Sequence, residues 1–330
     1  MANNIRWGIL GTGHISGKFA EVLNVLPDAE IIAVASRNLN TATSFAEEHG
    51  IAKAYGSCAA LAEDPDVDVV YIGTPHSLHL ENSILCMRAG KSVLCEKALT
   101  INAREAEEMI RVAREEHVFL MEAMVTRHVP LVKKLLKWIR DGKIGEVRMV
   151  NASFCKRADF TPSQRHLNPR LGGGSLLDLG VYVISFASMI FNKPPESVVG
   201  FGHMGALGSD EQGAALLKYD RGEIAGLSFA LRTNAVNDAY IYGTKGYIKV
   251  DELFSIPTKA TLVKDGKEIE VIEDPSTGSG LIFEAEEVMR CLRDGLKESP
   301  FMPLEESLQI MRIMDQIRAP WELIYPNDIQ

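Results

Sequence analysis

Three side chains in the 330-residue sequence have types and settings suited to proton and hydride chemistry: Lys97, Asp178 and Tyr182. Lys97 follows Glu96 at the end of an apolar run, Lys91 to Lys97, that reads as a strand and its exit. Asp178 and Tyr182 stand four apart in the apolar stretch from Ser175 to about Phe191, so on a helix they share a face. A buried helix gains nothing from an aspartate unless another group pairs with it. Oxidising an alcohol to a carbonyl needs a base for the hydroxyl proton while hydride leaves the carbon. A free tyrosine titrates near ~10, so service at neutral pH means lowering its pKa by roughly 3, about 4 kcal/mol. One ammonium about 4 Å away contributes on the order of 4 kcal/mol at an effective dielectric of about 20. On this reading Tyr182 exchanges the proton, Lys97 lowers its pKa and polarises the substrate oxygen, and Asp178 orients Lys97 or a substrate hydroxyl. The plainer alternative is a solvated lysine, an aspartate held by a structural partner and a tyrosine filling the core.

A hydride partner is indicated by the stretch from Ile5 to Arg37. It runs as an apolar strand, the turn Gly11-Thr12-Gly13-His14-Ile15-Ser16-Gly17, an amphipathic helix, and a second strand, Glu30 to Arg37. Gly11 permits a tight turn and Gly13 lets backbone approach a pyrophosphate, which then faces the free N–H groups of the helix start. Ser16 takes the third glycine position and is small enough for close helix–strand packing. NAD sites place a carboxylate about 20 residues on, for the ribose 2′-hydroxyl. This chain has Ser36-Arg37 there. Arg37 is either an anchor for a 2′-phosphate or a solvated loop residue; the first reading selects NADP(H).

The elements that must position these groups follow from periodicity and breakers. Helices are predicted at Thr41–His49, Leu78–Ala89 and Ala103–Glu116, the last capped by Asn102. Strands are predicted at Ala52–Tyr55, Asp66–Gly73 and Val118–Glu122. Alternating strands and helices indicate a doubly wound parallel sheet. Its ligands lie beyond the carboxyl ends of the strands, at Gly11–Gly13, Ser36–Arg37, Thr74–Pro75 and Glu96–Lys97. The pattern then changes. A helix is predicted at Leu131–Arg140, a strand at Glu146–Phe154, and an irregular polar stretch at Arg157–Leu171. Strands follow at Val198–Met204, Glu211–Tyr219, Glu223–Arg232, Asp238–Tyr242, Tyr247–Val250 and Lys259–Val271. Asp220-Arg221-Gly222, Gly243-Thr244-Lys245-Gly246 and Asp265-Gly266 are turn signals among them. Two helices, Leu281–Gly295 and Leu304–Arg318, end the chain. The fold class is therefore an α/β Rossmann domain, residues 1–124, and an α+β domain with a large open, mostly antiparallel sheet, residues 125–330. The final helices are free to pack back on the first. Neither face of the strand Glu223–Arg232 is strongly polar, which points to helices on one face and a partner subunit on the other, the alternative being a sheet covered by its own loops.

Bulk properties narrow the function classes. Formal charge is −9 with no basic run, which argues against nucleic acid and anionic membranes. No apolar run is read as long enough to span a membrane, and the first apolar run is already a strand, so a cytoplasmic enzyme is expected. The five cysteines, Cys58, Cys86, Cys95, Cys155 and Cys291, are odd in number and form no CxxC pair. They read as small buried residues in a reducing compartment, with no metal site.

Several of these motifs together resemble one family. Gly11-Thr12-Gly13, Thr74-Pro75 with His79, Glu96-Lys97, and Gly173-Gly174-Ser175 through Asp178 to Tyr182 are similar to the Gfo/Idh/MocA oxidoreductases. Met121-Glu122-Ala123-Met124 with Thr126-Arg127 resembles the branch of dimeric dihydrodiol and NADP-dependent xylose dehydrogenases, where tyrosine stands at position 182. The resemblance implies NADP(H), catalysis by Lys97, Asp178 and Tyr182, and a homodimer formed through the C-terminal sheet. It implies a sugar, polyol or cyclic diol as substrate. Arg127, Phe154, Arg165 and Asn168, with Arg148 and Arg157, are candidate pocket residues; ordinary loop solvation is the alternative for Arg165 and Asn168. Ala98 replaces the family's proline after lysine, which removes a restraint on the Lys97 backbone. Val125 and His128 replace aromatic residues of the branch, which moves the expected substrate from an aromatic diol toward a sugar or polyol. The other functional class compatible with the same motifs is a non-catalytic NADP(H)-binding sensor.

Overall fold

Strands apolar on both faces need cover on both, and in the first part of the chain amphipathic helices provide it. The computed structural model describes residues 4–157, 165–251, 253–275 and 278–329. It divides the chain into two units, 1–123 with 281–308 and 124–280 with 309–330. The first unit runs β1 (Ile5–Leu10), α1 (His14–Val25), β2 (Ala29–Ala35), α2 (Leu39–His49), β3 (Lys53–Tyr55), α3 (Cys58–Ala62), β4 (Val69–Ile72), α4 (His79–Arg88), β5 (Ser92–Glu96), α5 (Ala103–Glu115) and β6 (Leu120–Ala123). All strand pairs are parallel, in the order β3-β2-β1-β4-β5-β6. The direction of winding reverses between β1 and β4, the switch point at which such sheets bind ligands. The four residues of β4 are fully buried. Phe19 of α1 stacks on Tyr71 of β4, ring centroids 4.0 Å apart. The Asn102 side chain accepts from Glu105 N–H and so caps α5 as expected. The short α3 was not expected; its five residues are too few to show a helical period, and Ser57 starts it by accepting from Ala60 N–H.

The second unit contains α6 (Pro130–Arg140), β7 (Val147–Cys155), a wide π turn at Leu176–Gly180 that continues as α7 (Val181–Phe191), and β8 (Ser197–Met204), β9 (Asp210–Lys218), β10 (Ile224–Ala230), β11 (Ala239–Gly243), β12 (Gly246–Val250), β13 (Lys259–Lys264) and β14 (Lys267–Glu273). They form one eight-stranded sheet, β14-β13-β12-β11-β7-β10-β9-β8. Its pairs are antiparallel except β7 with β10, which is parallel. The strand expected over Lys259–Val271 is a hairpin. Asp265 and Gly266 both take positive φ, 49° and 72°, which turns the chain after Lys264. Two helices follow, α8 (Leu281–Arg293) within the first unit and α9 (Leu304–Arg318), in which the division between the units falls.

One face of the sheet is buried, with Ala215, Leu217, Ala225, Leu227 and Phe229 on it, and the π turn and α7 lie against it. The opposite face carries the ladder Val199–Leu216–Gly226–Asn151–Tyr240. Leu216 is 59% exposed there and Phe201, on the adjacent ladder, 80%. The helical stretch Pro169–Phe191 corrects one expectation. By length and composition it is apolar enough to cross a membrane. Of its 18-residue apolar window 89% is buried in protein, so that apolar surface is covered by the fold.

Candidate active site

The coenzyme candidates of the first unit gather at the carboxyl ends of β2, β1, β4 and β5, four adjacent strands. Gly11 has φ +103°, and a Cβ there would stand 2.8 Å from the Gly73 carbonyl oxygen. Only glycine satisfies both demands. Gly13 is different: a Cβ on it would meet nothing within 4 Å, and it starts α1 without a side-chain cap or an acidic first turn. Thr12, His14 and Ile15 complete this turn, and Ser16 is buried against Gly73. The Ser36 N–H donates to the Tyr55 carbonyl, which fixes the end of β2. Arg37 is exposed, and among the described residues its guanidinium has no partner. An N-terminal helix end free of carboxylates and a free cation at β2 fit a dinucleotide phosphate and a 2′-phosphate.

The exit of β5 is held by side chains. Lys97 N–H donates to Glu96 (3.2 Å), Leu99 N–H to Glu122 (3.1 Å) and Ile101 N–H to Glu105 (3.2 Å). The Lys97 carbonyl meets the His76 ring at 3.1 Å, and His79 bridges the carbonyls of Ala98 (3.0 Å) and Thr74 (2.9 Å). The side chain of Asn82 donates to Thr74 Oγ1 at 3.2 Å. The Lys97–Ala98 peptide is cis, and Ala98 is fully buried. The restraint missing at Ala98 is thus replaced by contacts to the backbone on either side of it. Glu96 also accepts from the Tyr71 hydroxyl at 2.6 Å. Burial and the Glu96 charge hold the Tyr71 pKa well above the ordinary tyrosine range, so Tyr71 stays a donor. Glu284 of α8 lies in the same unit, fully buried, and neither of its oxygens has a hydrogen-bond partner among the described residues. Burial, then the charges of Glu96 and Glu122, push its carboxyl well above the usual range. His76, Glu105 and Glu284 escaped the sequence reading, and Glu122 entered it only as part of a motif, with no role of its own. A carboxylate inside an apolar strand, as at Glu122, was the available signal.

In the second unit, Asp178 lies in the π turn and Tyr182 in the first turn of α7. Asp178 is buried; Arg165 Nη2 stands 3.3 Å and His166 Nε2 3.9 Å from its carboxylate. Tyr182 is half-buried, and Phe154 packs edge-on to it at 5.2 Å between centroids. Asp178, Tyr182, Phe154 and Arg165 are therefore together. Asn168 turns its side chain to Arg170 N–H. Arg127 is buried and holds the Ser185 side chain and carbonyl, at 3.1 and 2.9 Å. Arg148 donates to the Arg221 carbonyl, and Arg157 N–H donates to the Asn234 side chain. Val125 and His128 are buried, so those departures from the branch lie in the interior of the unit. Residues 158–164 of the polar stretch lie outside the described residues. The helix start is set by Asp210, which accepts from Ser175 Oγ (2.6 Å) and Leu176 N–H (2.7 Å). Gly174, at φ +139°, sits against it; a Cβ there would fall 2.1 Å from Asp210 Oδ1.

Comparison with known proteins matches two stretches of the chain. Residues 5–124 match the description "Oxidoreductase family, NAD-binding Rossmann fold", and residues 132–249 match "GFO/IDH/MocA C-terminal domain". The chain is 39% identical to the trans-1,2-dihydrobenzene-1,2-diol dehydrogenase of Xenopus tropicalis, over 97% of this chain and 99% of that one. It is 39% identical to the Mus musculus protein of the same name, over 98% and 99%. The crystal structure of KijD10, a 3-ketoreductase from Actinomadura kijaniata in complex with NADP and TDP-benzene, superposes with a TM-score of 0.87. That match has 29% identity and covers 96% of this chain and 98% of the other.

The buried acid on α8 gives a test. An unfolded glutamate titrates near ~4.3, and Glu284 titrates well above that when folded. The folded state therefore holds the proton that the unfolded state has lost. Stability contributed by this group is complete below the unfolded pKa and declines as pH rises toward the folded one. Glu284→Gln is expected to remove that decline. Melting temperatures of variant and parent should converge near pH 4.5 and diverge by pH 8, the variant higher.

Proposed function

This chain belongs to the Gfo/Idh/MocA oxidoreductase family, and we propose that it is an NADP(H)-dependent dehydrogenase or reductase of a sugar-like or cyclic diol substrate. It is an oxidoreductase with an NAD(P)-binding Rossmann fold, acting on CH–OH groups. The observation that carries NADP(H) over NAD is Arg37. It stands exposed and unpartnered among the described residues, where an NAD site has a carboxylate. The crystal structures of KijD10 with NADP support the same choice. A cyclic diol is supported by the dihydrodiol dehydrogenases at 39% identity, and a sugar-like substrate by the 3-ketoreductase.

The coenzyme, when bound, supplies or takes the hydride. Gly13 and the start of α1 receive its pyrophosphate, and Ser36 with Arg37 its 2′-phosphate. Tyr182 moves the proton of the substrate hydroxyl, Lys97 stabilises the developing charge on that oxygen, and Asp178 orients the donors around it. Arg165 and Phe154, already against Asp178 and Tyr182, are the nearest candidates for substrate contacts. The open apolar face of the eight-stranded sheet, with Val199, Phe201 and Leu216 half or more exposed, favours a homodimer formed through that face.

A panel of aldoses, inositols and cyclic diols, followed at the nicotinamide absorbance with both coenzymes, identifies the substrate. With it, Lys97→Met and Tyr182→Phe should each lower kcat by roughly 10²- to 10⁴-fold, with the coenzyme Kd within a few-fold of the parent. Near-full activity in either variant ends the assigned roles. Arg37→Ala should raise KM for NADPH roughly 10- to 100-fold, the loss of one charge-assisted contact, and leave KM for NADH unchanged. Phe201→Asp places a charge on each copy of the open face. Sedimentation should show dimer for the parent and monomer for the variant; a monomeric parent overturns the assembly.

A further inference from the structure

The cysteines do not all behave as inert core residues. Cys58 begins α3 and Cys86 lies in the last turn of α4, and these two helices pack together within the first unit. Their sulfur atoms are 3.9 Å apart. A disulfide closes at about 2.05 Å, so the folded chain already holds the pair within about 2 Å of bonding distance. Both thiols are free, and their exposures differ in a useful way. Cys58 is half-buried, whereas Cys86 is fully buried.

We infer that Cys58 and Cys86 form a dithiol–disulfide redox site, with Cys58 as the attacking sulfur and Cys86 as the resolving one. The chemistry balances with a peroxide as oxidant. The Cys58 thiolate attacks one peroxide oxygen and the O–O bond breaks; hydroxide leaves and takes up a proton to become water. Cys58 is then a sulfenic acid. Cys86 attacks that sulfur, the S–O bond breaks, and a second water departs with the Cys86 proton. Two thiols and one hydrogen peroxide give one disulfide and two waters.

The surroundings sort the two roles. The contact with the Cys86 sulfur draws the Cys58 pKa below the ordinary thiol range, against the opposing effect of burial. The same contact and burial hold Cys86 above it. A lowered, half-buried thiol within reach of a fully buried one is the arrangement of redox-active pairs. Cys95, Cys155 and Cys291 are buried, and among the described residues none makes a sulfur–sulfur contact like that of Cys58 with Cys86. The bond would join α3 to the helix whose side chains, His79 and Asn82, hold Thr74 at the exit of β4.

The test uses the reduced full-length protein, treated in its folded state with a small excess of hydrogen peroxide. Intact mass should fall by about 2 Da, the two hydrogens removed, and return on reduction with dithiothreitol. Non-reducing peptide mapping should recover the Cys58 peptide joined to the Cys86 peptide. In Cys86→Ser the reaction should stop at a Cys58 sulfenic acid that dimedone traps; Cys86→Ala serves if the serine variant does not fold. Cys58→Ser should leave Cys86 reduced. The inference is overturned if Cys58 advances to sulfinic acid in the parent without a crosslink. It is equally overturned by a crosslink through another cysteine, or by no reaction at either sulfur.

Discussion

A stretch of backbone that is buried but neither helix nor strand must still find partners for its N–H and C=O groups. Each group left unmet costs about 1–3 kcal/mol. At residues 97–101 side chains meet this demand, carboxylates on the amides and imidazoles on the carbonyls. The arrangement fixes where β5 ends and how Lys97 leaves it. It also brings carboxylates close together in a place where water cannot screen them. Glu96 is relieved by the Tyr71 hydroxyl, which burial keeps protonated. Among the described residues Glu284 has no such donor, and its burial beside Glu96 and Glu122 pushes its carboxyl well above the usual range, toward the neutral acid. A charge removed by protonation costs less than a third buried anion.

The second unit solves the matching problem for a helix start. The first N–H groups of a helix have no partner within it. Asp210 answers them from β9 with one oxygen, taking both the Ser175 hydroxyl and the Leu176 amide. Burial raises its pKa, and these same hydrogen bonds oppose that rise. Because Gly174 has no Cβ, the carboxylate comes close enough to serve. The turn that follows is a π turn, so Asp178 and Tyr182 lie on either side of a change in helical pitch. The sequence spacing alone treats them as one regular face. The local winding is looser than that at Asp178, where Arg165 approaches the carboxylate.

What could be read from the chain was local. The strand expected over Asp66–Gly73 and found at Val69–Ile72, the Asn102 cap and the helix Leu304–Arg318 each declare themselves within a few residues. The glycine turn does so too, because a positive φ and a helix start sit side by side. The hairpin within Lys259–Val271 was partly legible: Asp265-Gly266 signalled a turn, and the apolar run around it argued for continuity. Longer-range partners were not legible. Glu284 meets Glu96 and Glu122 only after the chain has passed through residues 124–280 of the second unit and returned. Asp210 reaches Ser175 from a strand two elements later. Cys58 and Cys86 belong to neighbouring helices, one of them too short to show a period. Nothing in composition or spacing encodes such meetings, because the intervening fold creates them.

Gly11 and Gly13 separate two reasons for a small residue. At Gly11 the protein itself sets the requirement, since the Gly73 carbonyl and a left-handed φ leave no room for a side chain. Alanine there would strain the junction of β1 with β4 whatever the protein binds. At Gly13 the backbone is extended, φ −84° and ψ 175°, a conformation open to any residue, and no protein atom lies where a Cβ would go. Folding places no demand on that position. If glycine is required there, the requirement comes from a ligand that must approach the backbone closely, beside helix N–H groups that carry no side-chain cap. That is the geometry of an anion held by main chain, and at the next strand end the exposed guanidinium of Arg37 has no partner among the described residues.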